Sequence, residues 1–216
     1  MFVNFFFPLT CSLCGRFGRP VCQDCEAKLP RAKQICPVCR RANPLGVTCP
    51  ACQRRFRPDG LLGLYRYDAL AKRLVHSLKF EDEQILADFM ASGLARMVGS
   101  RGGFVVTFVP VYPLRRIYRG YNQSELLARR LASRLRLPCL DLLRSTSRTP
   151  QTSFDDYRQR AANLKGKLLA RARSVPKKIL VVDDIFTSGA TLREASKVLK
   201  RGGAQSVVGV AAALAV

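Results

Sequence analysis

From about residue 60 onward the chain alternates between two spacings of apolar positions. Residues 61–67 form a short apolar run that reads as a strand, and 69–80 places Leu70, Leu74, Val75 and Leu78 on one face of a helix. A second helix is expected over 82–98, followed by a buried strand at 104–110. The stretch 122–136 repeats leucine at Leu127, Leu131 and Leu135, which is helical spacing. A strand at 179–182, a helix at 190–201 and a strand at 207–213 complete the pattern. Apolar strands alternating with amphipathic helices predict an α/β domain, a parallel sheet with helices on both faces. Ligands of such sheets bind at the carboxyl ends of the strands. The single histidine, His76, falls among apolar helical positions and reads as a packing residue.

Residues 1–57 follow neither spacing, and eight of the nine cysteines lie there, before residue 53. They form the pairs Cys11/Cys14, Cys22/Cys25, Cys36/Cys39 and Cys49/Cys52, each with two residues between. That spacing lets both thiolates of a tight turn face one tetrahedral ion, so eight cysteines predict two structural zinc sites. Gly15 supplies the positive φ such a turn tolerates. A disulfide framework is the competing reading. The opening apolar run is too short for a secretory segment and no basic residue precedes it, which favours a reducing, cytoplasmic setting and metal. Sequential pairing of the knuckles and an interleaved cross-brace both satisfy the spacing. Four thiolates leave zinc no open position, so a structural role follows. The expected division is a zinc-binding module at 1–57 and an α/β domain at 58–216.

A composition of 48% hydrophobic and 24% charged residues excludes a disordered chain. No apolar run approaches the roughly 18 residues of a membrane span. The net charge of +22 changes the picture more. Residues 1–57 hold ten Lys/Arg against two acids, and 111–178 hold seventeen against four. Such surfaces attract nucleic acid through counterion release; basic composition that serves solubility is the alternative. Arg31, Lys33, Arg40, Arg41, Arg54, Arg55 and Arg57 either meet phosphates or offset the thiolate charge.

The most informative segment is 179–191, Ile-Leu-Val-Val-Asp-Asp-Ile-Phe-Thr-Ser-Gly-Ala-Thr. An apolar strand is expected to end at Asp183 and Asp184, and Thr187, Ser188, Gly189, Ala190 and Thr191 to open a helix. Hydroxyls and backbone N–H groups in such a turn cradle a phosphate, and the helix dipole favours the anion. Two carboxylates one sugar-width away accept hydrogen bonds from vicinal ribose hydroxyls. Arg115, Arg116 and Arg119, just beyond a strand end, suit a departing pyrophosphate.

These thirteen residues resemble the phosphoribosyl pyrophosphate motif of type I phosphoribosyltransferases. With the cysteine pairs, Leu74-Val-His-Ser-Leu-Lys-Phe80, Val109-Pro-Val-Tyr-Pro-Leu-Arg-Arg116, Arg119-Gly-Tyr-Asn-Gln123, Thr149-Pro-Gln151 and Asn163, nearly the whole chain resembles the ComF family of competence proteins. The resemblance implies a type I phosphoribosyltransferase-like fold behind a double zinc ribbon. It makes Asp183 and Asp184 the catalytic pair, and Val111, Tyr112, Pro113, Leu114, Arg115 and Arg116 the pyrophosphate loop. It places Arg119, Asn122, Gln123, Gln151 and Asn163 on or beside a mobile loop at 145–163. It further implies zinc at two sites, Mg2+ with phosphoribosyl pyrophosphate (PRPP), single-stranded DNA as a partner and a competence helicase as another. Three functions follow as expectations: a DNA-uptake accessory protein with a phosphoribosyl pocket, an active transferase to an unknown acceptor, or a zinc adaptor for the helicase with an inactive pocket.

Overall fold

The computed structural model describes residues 9–78, 83–100, 102–111, 121–146 and 168–216. In chain order the elements are α1 (Gln23–Lys28), β1 (Gly60–Arg66), α2 (Ala69–Ser77), α3 (Glu83–Val98), β2 (Val105–Phe108), α4 (Gln123–Leu135), β3 (Leu143–Ser145), β4 (Leu168–Ala170), β5 (Lys178–Phe186), α5 (Ala190–Arg201) and β6 (Ser206–Leu214). Strands β1, β6, β5 and β2 form a parallel sheet in that spatial order. The short β3 and β4 pair antiparallel with each other.

Alternation along β5 shows why its strand is apolar throughout its first half. Leu180 and Val182 join a core with Leu74, Leu86, Leu94, Leu127 and Leu131 from α2, α3 and α4. Ile179 and Val181 point to the other face, where Leu192, Ala195 and Leu199 of α5 meet Leu143 and Leu168 of the β3–β4 pair. Both faces are buried, so the period-2 signal disappears and a continuous apolar run remains. The expected parallel sheet with helices on both faces is therefore present.

The cysteine-rich segment covers the outer edge of β1. Ala32 N–H donates to the Leu64 carbonyl at 3.2 Å and Arg66 N–H to Pro30 at 2.8 Å. Further along, the Gln34 side chain donates to the Gly63 carbonyl and accepts from its N–H, and Leu61 N–H donates to the Gly46 carbonyl at 2.6 Å. An open edge of a parallel sheet is a template for aggregation; here the zinc-binding segment closes it. Its two halves straddle the edge, since Leu13, Val21 and Leu29 enter the core beside α2 and α3 while Ile35 enters the core beside α5. Gly46 has φ +64, and a Cβ there would collide with the Leu61 backbone carbonyl. Gly46→Ala should lower stability by about 1–3 kcal/mol, measured by urea denaturation, because both the left-handed backbone and the crowding oppose it.

Differences from the sequence-based expectations have physical causes. Strand β5 runs to Phe186, four residues past Val182, because β6 continues to pair with it through Asp183↔Ala211, Ile185↔Ala213 and Phe186↔Leu214. The carboxylates thus stand on the last turns of the strand's pleat, inside the ladder. The β3–β4 pair and α1 have no periodic signal long enough to read. His76 is exposed on α2, so it does not fill the packing role its neighbours suggest. No helix among the described residues is long and apolar enough to cross a membrane.

Candidate functional site

Asp183 and Asp184 are half-buried near the carboxyl end of β5. Asp183 Oδ1 accepts from the Ser124 hydroxyl at 3.1 Å and from its neighbour's N–H at 2.9 Å. Asp184 Oδ1 accepts from Ile185 N–H at 2.7 Å. Among the described residues no other N–H or O–H group donates to either carboxylate, and the two carboxyl groups approach each other closely enough to interact. Burial first, and the adjacent Asp184 charge second, push the Asp183 carboxyl well above the usual carboxylate range. A carboxyl so raised at the end of a central strand, next to a helix start, is characteristic of ligand sites.

The start of α4 supplies the group that holds Asp183. Asn122 caps the helix, its Oδ1 accepting from Ser124 N–H at 3.0 Å, and its Nδ2 donates to the Val109 carbonyl at the end of β2. That cap brings Ser124 against β5. Gln123 is 4% exposed, and its side-chain nitrogen has no hydrogen-bond partner among the described residues. A buried donor without an acceptor is costly and calls for an explanation.

Beyond β5 the chain turns through Thr187, Ser188 and Gly189 into α5. Ser188 Oγ accepts from Ala190 N–H at 3.2 Å, and Gly189 sits at the N-cap with φ 71. A Cβ on Gly189 would lie 2.8 Å from the Phe186 ring and 3.2 Å from the Pro37 carbonyl oxygen, so glycine is required for both backbone shape and space. Thr187 and Thr191 are half-buried, and the Thr187 carbonyl accepts from the Arg40 guanidinium at 3.1 Å. Val111 is half-buried beyond β2. Tyr112, Pro113, Leu114, Arg115, Arg116, Arg119, Gln151 and Asn163 lie outside the described residues. Sequence reasoning missed Ser124 and Pro37, and it named Arg40 only as one of seven basic residues near the cysteines, not for its bond to Thr187. Ser124 is foreshadowed only by its place after the Asn122 cap; Pro37 has no local signal.

The cysteines gather into two clusters, Cys11/Cys14/Cys22/Cys25 and Cys36/Cys39/Cys49/Cys52, with all sulfurs of each within 4.8 Å of one another. The pairing is therefore sequential, and the cross-brace is excluded. Cys14 and Cys22 sulfurs are 3.6 Å apart and Cys39 and Cys49 sulfurs 3.8 Å. A tetrahedron with Zn–S of about 2.3 Å has edges of roughly 3.8 Å, so the donor sets fit zinc. Burial alone would raise the Cys11 thiol, but N–H groups of Cys22, Leu13 and Cys14 aimed at its sulfur bring it down to about 6. Burial and the surrounding sulfurs push Cys25 up to about 12. In the second cluster Cys36 falls to about 6 although burial opposes it, and the sulfur of Cys49, ahead of burial, drives Cys52 up to about 12. Four thiolates so close together need a cation before the last proton leaves.

Comparison with known proteins gives a separate match at each end of the chain. Residues 122–216 match the phosphoribosyl transferase domain and residues 2–54 the double zinc ribbon domain. The resemblance to the ComF family is borne out by relatives over most of the chain. Competence protein ComFC of Streptococcus pneumoniae is 26% identical over 92% of this chain and 97% of its own. ComFC of Bacillus subtilis is 29% identical over 87% of this chain and 81% of its own. DNA utilization protein YhgH of Escherichia coli is 27% identical over 93% of this chain and 94% of its own.

Proposed function

We propose that this chain is a DNA-uptake accessory protein of natural transformation that binds single-stranded DNA and holds a 5-phosphoribosyl ligand of the PRPP type, with Mg2+, in a pocket at the carboxyl end of β5. A competence helicase is the protein partner in this reading. The observation that carries the pocket is the carboxylate pair near the carboxyl end of β5, Asp183 held by Ser124, immediately before the glycine-capped start of α5. Ribose hydroxyls would donate to Asp183 and Asp184, and the phosphate would take the N–H groups and hydroxyls of the 187–191 turn. The unpartnered Gln123 amide is a donor that a ligand oxygen would complete. Mg2+ supplies charge neutralisation for the pyrophosphate when bound. The names of the relatives, competence and DNA utilization proteins, supply the cellular setting.

Single-stranded DNA is assigned to the opposite end of the sheet. Arg57 precedes β1, Lys177 precedes and Lys178 begins β5, and Arg201 ends α5, all exposed at the strands' amino-terminal edge. The guanidiniums of Arg55 and Arg201 lie 5.1 and 5.7 Å from the centroid of the Phe56 ring. Asp59, the acid beside them, is engaged by Lys200 at 2.8 Å. Guanidinium and aromatic faces together suit a flexible polyanion with stacking bases.

The test of the pocket is Asp183→Asn. Asparagine keeps the Oδ1 acceptor for Ser124 but replaces the second oxygen with a donor. PRPP affinity measured calorimetrically with Mg2+ should fall by about 10- to 150-fold, the loss of one or two charge-assisted hydrogen bonds. Ligand-free stability should move the other way. A carboxyl whose folded pKa is raised contributes stability below its unfolded pKa, and that contribution is lost as pH rises through the folded value. The amide does not titrate, so the variant should match wild type near pH 3–4 and exceed it by about 2–4 °C in Tm at neutral pH. Unchanged PRPP affinity in both Asp183→Asn and Asp184→Asn would end this reading.

A further inference from the structure

The second cysteine cluster touches the turn that opens α5. In Cys36-Pro37-Val38-Cys39-Arg40 the knuckle is closed by Arg40 N–H donating to the Cys36 carbonyl at 2.9 Å and Cys36 N–H donating to Arg41 at 3.0 Å. Arg40 has φ 62, a left-handed turn position directly after a ligand. From that position its guanidinium donates to the Thr187 carbonyl at 3.1 Å, and the Pro37 carbonyl oxygen forms a wall of the space over Gly189. Ile35, just before the first ligand, is 5% exposed in the same core as Phe186 and Leu192, the residues on either side of the turn. The knuckle and the turn are thus joined by a hydrogen bond, a close approach and a shared core.

This arrangement has a consequence for the peptide at 187–188. A trans peptide is planar with its C=O and N–H antiparallel. Drawing the Thr187 carbonyl toward Arg40 therefore turns the Ser188 N–H away from the knuckle. Pro37 and Phe186 restrict the next residue from two sides. The knuckle's own shape depends on its four sulfurs converging, which thiolates do only around a cation. The two clusters are similarly exposed: each has one exposed cysteine, Cys14 or Cys39, and they differ only in that Cys22 of the first is buried where Cys49 of the second is half-buried. The first cluster makes its bond to α2, where Arg73 donates to the Leu13 carbonyl at 3.0 Å.

We infer that zinc at the second cluster is a positioning element of the phosphoribosyl site: through Arg40 and Pro37 it holds the 187–191 turn in its anion-binding shape, so occupancy of this one zinc site sets the affinity of the pocket. The affinity half of the inference rests on the phosphoribosyl reading; the ordering of the turn does not. In structural terms, the double zinc ribbon is part of the ligand site as well as a cover for the sheet edge.

The experiment uses the full chain, zinc quantified per protein, with Arg40→Asn, Arg40→Lys, the second-cluster pair Cys39→Ser/Cys52→Ser and the first-cluster pair Cys14→Ser/Cys25→Ser. Asparagine tolerates the left-handed backbone, so Arg40→Asn should keep both zinc ions and its Tm. Amide exchange at 188–191, read without ligand, should quicken about tenfold in Arg40→Asn and more in the second-cluster pair. PRPP with Mg2+ should bind about tenfold more weakly in Arg40→Asn. Arg40→Lys should restore part of both, and the first-cluster pair should leave exchange at 188–191 unchanged. Wild-type exchange at this turn in both Arg40→Asn and the second-cluster pair overturns the inference. A wild type that shows the expected exchange pattern yet fails to bind PRPP refutes the phosphoribosyl reading alone; one that binds PRPP as tightly as Arg40→Asn does refutes the coupling alone.

Discussion

Stripping zinc with a chelator at neutral pH is expected to lower Tm by about 20 °C or more and to drive the protein into aggregates. Among its described residues the cysteine-rich segment brings few buried apolar side chains, chiefly Leu13, Val21, Leu29 and Ile35, each seated in a core that belongs to the α/β domain. A segment of that size with so small a core depends on its metals, and structural zinc contributes roughly 10–16 kcal/mol per site in zinc-finger peptides. At about 2–4 °C per kcal/mol for a chain of this length, even a fraction of that energy is a large shift. Aggregation follows from geometry: once the segment detaches, the N–H and C=O groups of β1 that now meet Pro30, Ala32 and Gly46 are open along one edge. Scanning calorimetry and light scattering with metal quantified at each step measure both effects. A chelated protein with no bound zinc and an unchanged Tm would show that the clusters are not structural.

How far the molecule is legible in its sequence depends on whether a feature is local. The helix α5 is read correctly because Leu192, Ala195 and Leu199 repeat along one buried face, and Gly189 before it permits a conformation few other residues adopt. Apolar residues at 179–182 mark a strand for the same reason, both faces being covered. Where that strand ends is a different kind of fact. Asp183 and Asp184 stay in the ladder because β6, more than twenty residues later, is long enough to pair with them, and no property of the acids announces it. The cysteine spacing predicts two metal sites but leaves two ways of joining four knuckles; only the folded chain selects one. Ser124 on Asp183 and Arg40 on Thr187 are contacts between residues 59 and 147 positions apart. The candidate site was legible as two acids before a glycine-capped helix start, while the contacts that orient those groups were not.

Affinity for single-stranded DNA should fall by about 300-fold to 10^4-fold between 50 and 200 mM salt. The chain carries +22, and a single strand gives a slope of roughly −0.7 in log affinity against log salt for each phosphate neutralised, so six to ten contacts produce this range. The assigned surface makes the prediction more specific. Arg57, Lys177, Lys178 and Arg201 are exposed at one edge of the sheet, and each Ala substitution there should reduce the slope by about 0.7 while weakening all sequences alike. Arg130 and Arg134 serve as controls, because each already pairs with Asp88 across α3 and α4 and has less charge to offer. Because the amino-terminal edge of β5 lies five residues, about 17 Å, from Asp183, saturating PRPP should leave DNA affinity unchanged at fixed Mg2+ and ionic strength. Fluorescence anisotropy with a labelled oligonucleotide across a salt series reads all three expectations. A flat salt dependence would remove DNA binding by this basic edge, and displacement of the oligonucleotide by PRPP would move the DNA to the carboxylate end.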